Sequence, residues 1–236
     1  MSPEIGLPLH LATGYISALE RVKQAEGVLG IVWAGSAARG QADLYSDLDF
    51  FVLVSGDRRY RVSFMAGAAP VEAFYNPARQ IRRYIAQGDA SSMFMLAEGR
   101  VVLEYPELEA LILEARHTLA AGRFAKPLTS DQRHTAVDEV WEARSVVGQP
   151  IHVQVAMQAV KRIVGALYQQ RGWWDTKPKH WPSDLALRDT QVAGLLQVVL
   201  EADADTRQAA LEALALYVLG SLDWAESSTI PEEVET

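Results

Sequence analysis

The sequence contains no cysteine, which excludes disulfide bonds, thiol nucleophiles and cysteine-ligated zinc or iron–sulfur sites. It also lacks any apolar run near the ~18 residues that a membrane-spanning helix needs. Residues 1–10 do not have the basic-then-apolar pattern of a secretion signal. These absences predict a soluble cytoplasmic protein with no membrane partner.

An excess of basic residues is absent as well. The 236 residues include 22 Lys and Arg against 30 Asp and Glu, so the formal net charge is −8. Nucleic acids and anionic membranes bind basic surfaces, and this balance therefore disfavours both as partners. Hydrophobic residues make up 49% of the chain, which is the composition of a globular protein with a buried core.

Hydrophobic patterning divides the chain into two different parts near residue 125. The short apolar runs typical of buried strands lie at 28–33, 47–55, 61–65, 70–75 and 99–105, with helices predicted at 9–26, 76–87 and 106–122. Later in the chain only helices are predicted, at 129–147, 152–171 and 206–225. The sequence thus predicts an α+β fold, with a mixed sheet flanked by helices in residues 1–125 and a helical bundle domain in residues 126–236.

Two acids open the second predicted strand. Asp47 and Asp49 are two residues apart, and residues at that spacing in a strand project on the same face. Paired carboxylates repel each other, and a divalent cation such as Mg²⁺ relieves the repulsion because it takes carboxylate oxygens as ligands. The alternative is that both acids face solvent at the entrance of the strand.

A small-residue turn follows the first predicted strand. Gly35 and Ser36 begin a short helix predicted over 36–40, whose free backbone N–H groups and hydroxyl could bind an anion, with Arg39 one turn further on. Alone, this is equally a plain turn, and it has neither the Walker A nor the dinucleotide-binding glycine pattern. Combined with the diacid strand, it predicts a site for a metal-bound triphosphate.

The string GSAARGQADLYSDLDFFV resembles the signature of the polymerase-β-like nucleotidyltransferase superfamily, in which Gly-Ser precedes an acid-x-acid strand by about ten residues. The resemblance implies a polymerase-β-like nucleotidyltransferase domain at the N-terminus and a third carboxylate on a neighbouring strand. Glu72 fits that role, because it lies inside an apolar, strand-like run. Glu104 is the alternative, but it lies at the exit of its strand, where a solvent-facing position is expected.

Within the superfamily, the strings YSDLDFF, VEAFY, VDEVWE and HVQVAM resemble aminoglycoside nucleotidyltransferases of the kanamycin type, over roughly residues 30–170. The resemblance implies that Glu142 is the general base that takes a proton from the acceptor hydroxyl. Asp138 shares a helix face with it at the i, i+4 spacing. The alternative is an acidic helix face that only meets solvent.

One departure affects the phosphate contacts that this resemblance implies. The family's lysine one turn after the base falls on Val146 here, so Lys177 or Lys179 is the expected replacement, unless both belong to a charged loop. The kanamycin-type relatives build their site between two subunits, and a homodimer is implied for this chain on that ground alone.

The resemblance also implies a mechanism. Asp47, Asp49 and Glu72 hold one or two Mg²⁺ ions on the phosphates of ATP or another NTP, and an acceptor hydroxyl attacks the α-phosphorus and expels pyrophosphate. The groups that seat the triphosphate are Gly35, Ser36, Arg39 and Ser46. The expected product is a small molecule that carries AMP, and an aminoglycoside-like antibiotic as acceptor would make the protein a resistance enzyme.

Other functions stay open at this point. A protein adenylyltransferase, such as the antitoxin of a toxin–antitoxin pair, would share the motif, and a nucleotide-binding scaffold would share the fold without catalysis. Trp173, Trp174 and Trp181 could stack on a base or a sugar, although packing is the more common role of tryptophan in helical proteins.

Overall fold

The chain separates into two compact units, residues 1–122 and 123–236, of which the computed structural model describes residues 6–224. The first unit holds a five-stranded mixed sheet with flanking helices and the second is helical, so the predicted α+β fold is confirmed. That each unit is a separately folding domain, with the boundary predicted at residue 125, stays a prediction. None of the described helices is long and apolar enough to cross a membrane.

The first unit contains both strands and helices. Its elements are α1 (Leu9–Lys23), β1 (Val28–Ala34), α2 (Gly35–Ala38), β2 (Leu48–Val54), β3 (Tyr60–Ala66), β4 (Ala69–Pro77), α3 (Ala78–Gln87), α4 (Ala90–Glu98), β5 (Arg100–Leu103) and α5 (Pro106–Ala121). The strands lie in the order β3-β4-β2-β1-β5, and only β2 and β4 are parallel among these neighbouring pairs. Strand β3 is therefore one edge of the sheet.

The two faces of the sheet have different surroundings. Helix α1 packs on one face, where Tyr15 shares a buried core with Phe50 of β2 and Val71 of β4. Successive strand residues point to opposite faces. Asp49 and Glu72 adjoin these core residues in sequence, so the alternation turns both acids to the face away from α1.

Helix α1 approaches the β3–β4 hairpin very closely at one residue. A Cβ atom added to Gly14 would lie 2.3 Å from the Ala66 carbonyl oxygen and 2.5 Å from the Ala69 Cβ. Contacts below 3 Å with backbone atoms cannot be relieved by turning a side chain. The glycine therefore allows the helix to pack against this end of the sheet.

The second unit is built from helices. Its elements are α6 (Ser130–Ser145), α7 (His152–Arg171), a short 3₁₀ turn (Pro178–His180), α8 (Trp181–Arg188), α9 (Thr190–Glu201) and α10 (Ala204–Leu219). All five α-helices contribute buried apolar side chains to one core. A capping box between Thr129 and Gln132 starts α6, as the capping residues in the sequence predict.

A chain of polar side chains runs from the buried His152 to the surface of this helical unit. The buried His152 lies with its Nε2 3.1 Å from the Gln208 Oε1. The amide of Gln208 donates to Glu212 at 2.8 Å, and the Arg144 Nε donates to the same carboxylate oxygen at 2.8 Å. The chain therefore connects α6, α7 and α10 through hydrogen bonds.

The structure differs from the sequence prediction at three places. Helices α4 and α9 are absent from the prediction, and each begins at an aspartate, Asp89 or Asp189, whose side chain accepts a backbone N–H of its helix. Between the helices predicted at 152–171 and 206–225 the chain also forms the 3₁₀ turn and α8, with prolines in their first turns, where helices tolerate them.

Candidate functional site

Three carboxylates converge on the face of the sheet opposite α1. One side-chain oxygen from each of Asp47, Asp49 and Glu72 lies within 4.8 Å of the others, and all three residues are half-buried. Asp49 of β2 lies directly opposite Glu72 in the parallel β2–β4 register. The expectation that Asp47 belongs to the strand is wrong, because β2 begins at Leu48 and Asp47 is the residue before it.

The donor set of this cluster suits one class of ion. Three ionised carboxylates at this separation repel one another, so their closeness costs free energy unless a cation is shared among them. Mg²⁺ takes hard oxygen ligands and commonly binds one or two carboxylates together with substrate phosphates. The three residues therefore fit a divalent cation of this kind, and within residues 6–224 no other group of three acids, histidines or cysteines has metal-site spacing.

The turn after β1 touches this cluster through its backbone. Ala34 pairs with Asp49 across the β1–β2 register, and Gly35 follows with a φ of +75°. A Cβ atom at Gly35 would lie 2.0 Å from the Asp49 Oδ2. Glycine is therefore required twice, for its left-handed backbone and for the close approach of the turn to the carboxylate.

Hydrogen bonds between side chains order the loop that leads to Asp47. The Ser46 Oγ accepts the Asp43 N–H at 2.9 Å and donates to the Asp43 Oδ1 at 2.9 Å. The Ser36 hydroxyl donates to the Ser46 Oγ at 3.3 Å. The two predicted serines therefore lie side by side. Asp43 is an ordering residue that the sequence prediction missed, and it accepts the backbone N–H of Tyr45 at 2.9 Å, as turn aspartates commonly do from the residue two positions on.

Arg39 ends α2, where its side chain contacts other residues of the first unit. Its Nη1 lies 3.3 Å from Glu98 of α4 and its Nε donates to Gln41 at 3.1 Å. The ion pair is partly exposed, so it contributes little to stability and can exchange. The predicted contact of Arg39 with phosphate stays a prediction.

The remaining predicted site residues lie in the second unit. Glu142 is exposed on α6, Asp138 is half-buried one turn earlier, and Lys177 and Lys179 are exposed at the 3₁₀ turn. Between the two acids, Glu139 pairs with Arg162 of α7 at 2.8 Å. The roles of Glu142 and of the two lysines stay predictions.

Two tryptophans of the helical unit take part in its packing. Trp173 and Trp181 lie against its core, Trp173 with its ring edge-on to Tyr168. The Trp181 indole N–H donates to the Thr176 carbonyl at 3.2 Å. These contacts favour the packing interpretation of both residues over base stacking.

Two residues of β3 lie against the cluster and were not predicted. The Ser63 hydroxyl donates to the Glu72 Oε1 at 3.3 Å, and the Arg61 Nη1 lies 3.4 Å from the same oxygen. In the sequence these two residues appear only as polar residues two positions apart in an otherwise apolar strand. Their relation to Glu72 can be inferred only when the pairing of β3 with β4 is known.

Residues 16–95, which run from α1 to α4 and include all three carboxylates, match a family model described as a nucleotidyltransferase domain. This region is similar to nucleotidyltransferase domains. The crystal structure of a nucleotidyltransferase-like protein from Exiguobacterium sibiricum 255-15 is similar over 88% of this chain and 73% of that chain, with 13% sequence identity and a TM-score of 0.47. No curated protein matches the chain. The match of residues 16–95 supports nucleotide transfer as the general activity.

Proposed function

We propose that the protein transfers a nucleoside monophosphate, AMP in the first instance, from a metal-bound NTP to a hydroxyl of a small molecule and releases pyrophosphate. One observation carries the proposal: three carboxylates converge beside a glycine-serine turn inside the residues that match the nucleotidyltransferase domain. Two carboxylates alone would equally fit a solvent-facing strand entrance, and the third from a neighbouring strand makes a metal site the better explanation.

In this proposal Asp47, Asp49 and Glu72 would hold one or two Mg²⁺ ions. When bound, the ions would offset the charge of the triphosphate and stabilise the charge that develops at the α-phosphorus. The fixed register of Asp49 and Glu72 sets the spacing of two of these ligands before any ion arrives. Such preorganisation lowers the cost of assembling the site.

The Gly35–Ser36 turn would seat the phosphates. Its backbone N–H groups would face the phosphates, and the hydroxyls of Ser36 and Ser46, which now donate to Ser46 and Asp43, would turn to donate to phosphate oxygens. Arg39 would exchange its exposed pair with Glu98 for a phosphate oxygen. The nucleotide would thus bind through the backbone, two hydroxyls and one guanidinium.

The acceptor end of the reaction belongs to the second unit in this proposal. Glu142 would take the proton of the attacking hydroxyl, a contribution of about 10²–10⁴-fold to the rate, and Lys177 or Lys179 would contact phosphate. An aminoglycoside-like polycation is the proposed acceptor, which would give antibiotic resistance, and a homodimer is the proposed assembly. These assignments rest on the resemblance of the strings that include VDEVWE.

Pyrophosphate release from ATP and Mg²⁺ over a panel of aminoglycosides and lincosamides tests the proposal. We expect release with one class of acceptor, its loss in Asp49→Asn, and unchanged release in Asp57→Asn, which removes an exposed carboxylate elsewhere in the same unit. Nucleotide binding without release over the panel would rule out these antibiotics as acceptors and leave a metabolite or a protein in their place. Absence of ATP·Mg²⁺ binding to the wild-type protein would refute the proposed activity.

A further inference from the structure

The carboxylate of Glu72 is held from the edge of the sheet. Both polar contacts of its Oε1 come from β3, the Ser63 hydroxyl at 3.3 Å and the Arg61 guanidinium at 3.4 Å. Neither residue belongs to the Gly-Ser and acid-x-acid motif. The third carboxylate of the site therefore depends on a strand that contributes none of the three acids.

Strand pairing places these groups together. In the antiparallel β3–β4 register Ser63 lies directly opposite Glu72, and Arg61, two residues earlier, projects on the same face of the sheet as Ser63. On the other side Glu72 lies opposite Asp49 of β2. One row across β3, β4 and β2 thus contains the Ser63 hydroxyl, the Glu72 carboxylate and the Asp49 carboxylate.

Glu72 needs such contacts more than the two aspartates do. Its side chain has one more rotatable bond than aspartate and is 32% exposed, so packing alone does not fix the direction of its oxygens. The hydrogen bond from Ser63 and the ion pair with Arg61 together favour one orientation of the carboxylate. The positive charge of Arg61 by itself opposes a cation at the site, so a gain in cation affinity from Arg61 comes from the orientation that it gives Glu72.

We propose that Ser63 and Arg61 are positioning residues that orient the Glu72 carboxylate for the divalent cation. This inference rests on the metal site of the proposed function. Donors behind a ligating carboxylate fix its orientation, and their loss commonly weakens metal binding by about 10–100-fold. Arg61 is 61% exposed, so its pair with Glu72 contributes little to folding stability, and a role in stability alone would not explain a loss of metal affinity.

Titration with Mn²⁺, followed by the EPR signal of the free ion, tests the proposal without any need for the acceptor. We expect Ser63→Ala to weaken Mn²⁺ binding by about tenfold and Ser63→Thr, which keeps the hydroxyl, to bind as the wild-type protein does. Arg61→Gln is expected to weaken binding, whereas Arg83→Gln, with the same change of charge at an exposed site on α3, leaves it unchanged. Circular dichroism and thermal melting show that each variant is folded.

The outcomes separate this inference from the proposed function. If the wild-type protein binds Mn²⁺, loses it in Asp49→Asn and keeps it in Ser63→Ala, the metal site stands and the positioning role is wrong. Tighter binding by Arg61→Gln would show that the guanidinium competes with the ion, and would overturn the role of Arg61. A wild-type protein that binds no Mn²⁺ would overturn the metal site and this inference with it.

Discussion

Polar side chains serve opposite purposes in the two units. In the helical unit one chain of polar groups pairs donors with acceptors: His152 lies against Gln208, Gln208 donates to Glu212, and Arg144 donates to the same carboxylate. In the sheet unit the three acids of the site gather like charges within 4.8 Å. The first arrangement stabilises the fold. The second brings together carboxylates that repel one another, which costs stability unless a cation binds between them.

The electrostatics of Glu212 illustrate the first arrangement. The hydrogen bond from Arg144 holds the pKa of the Glu212 carboxyl below its ordinary value, with a smaller contribution from Gln208 and an opposing one from burial. A carboxylate held in this way joins two helices and is not available for chemistry. Changes in the polar chain of the helical unit should therefore alter stability, and changes at the acids of the sheet unit should alter binding.

The largest expected effect lies at the turn of the site. Gly35→Ala places a methyl group 2.0 Å from the present position of the Asp49 Oδ2 and must displace that carboxylate. We expect Mn²⁺ affinity to fall on the order of 100-fold, at the upper end of the losses seen when a ligand is misoriented. The EPR titration of free Mn²⁺ measures it.

Gly40→Ala is the matched control for this variant. Gly40 has a φ of +73°, close to the +75° of Gly35, but an added Cβ there meets nothing within 4 Å. Both variants carry similar backbone strain, of about 1–3 kcal/mol, and only one disturbs the acids. Equal loss of Mn²⁺ affinity in both would contradict the steric explanation.

The next largest effect is expected in the helical unit. Gln208→Ala removes the bridge between His152 and Glu212, leaves buried polar atoms without a partner, and should lower the free energy of unfolding by about 2–3 kcal/mol. Mn²⁺ affinity should stay unchanged. Urea denaturation measures the free energy of unfolding, and Gln197→Ala, at an exposed position of α9, is expected to stay within about 0.5 kcal/mol of the wild-type protein. A strong loss of Mn²⁺ binding in Gln208→Ala would contradict the claim that changes in the polar chain of the helical unit alter stability alone.

Two glycines within helices, one in each unit, differ in the space around them. Gly14→Ala forces a methyl group against the backbone of the β3–β4 hairpin and should destabilise the protein by about 1–3 kcal/mol. Gly165→Ala on α7 meets nothing within 4 Å and should stabilise it by roughly 0.5–1 kcal/mol, because alanine favours the helix. Opposite shifts of the thermal midpoint test the pair, and shifts of one sign would contradict it.

The smallest effect is a dependence on alkaline pH. Burial first, and then the hydrogen bond to Asp184, raise the pKa of the Tyr168 hydroxyl above its ordinary value. The unfolded chain therefore releases this proton near pH 10 while the folded protein retains it, so the stabilisation is complete below pH 10 and is lost as the pH rises further.

Tyr168→Phe removes that contribution. We expect it to cost about 1 kcal/mol at pH 8 in urea denaturation, and the difference from the wild-type protein to shrink above pH 10. Tyr217→Phe, whose exposed hydroxyl donates to Asp189, should differ from the wild-type protein by less than about 0.5 kcal/mol at either pH. If the difference in the free energy of unfolding between Tyr168→Phe and the wild-type protein grew with pH, the inference that the pKa of Tyr168 is raised in the folded protein would be wrong.

Local pattern was sufficient to predict much of the fold. The apolar strands, the helical second part and the acid-x-acid spacing are properties of neighbouring residues, and the structure has strands and helices at those places. Glu72 was singled out as an acid inside an apolar strand, and the register of β2 and β4 brings it opposite Asp49. Its role as a metal ligand, and that of Asp47 and Asp49, stays a prediction.

What the sequence did not predict depends on contacts between distant segments. Ser63 and Arg61 acquire their relation to Glu72 only through the pairing of β3 with β4, which periodicity within one strand cannot specify. Helix α4 has only nine residues, whereas α9 carries Val192, Leu196 and Val199 at helical spacing, a signal that the prediction overlooked. The aspartates that begin them were visible in the sequence but are common in loops as well.

The acid cluster forms only when β2 and β4 pair in their native register. If β4 slid by one residue along β2, Val71 or Ala73 would take the place opposite Asp49, and Glu72 would turn toward the apolar core beneath α1. A divalent cation that binds the three acids would therefore bind only the native alignment and stabilise it by mass action. A bound ion would therefore favour the native strand register over registers shifted by one residue, because only the native register brings its ligands together.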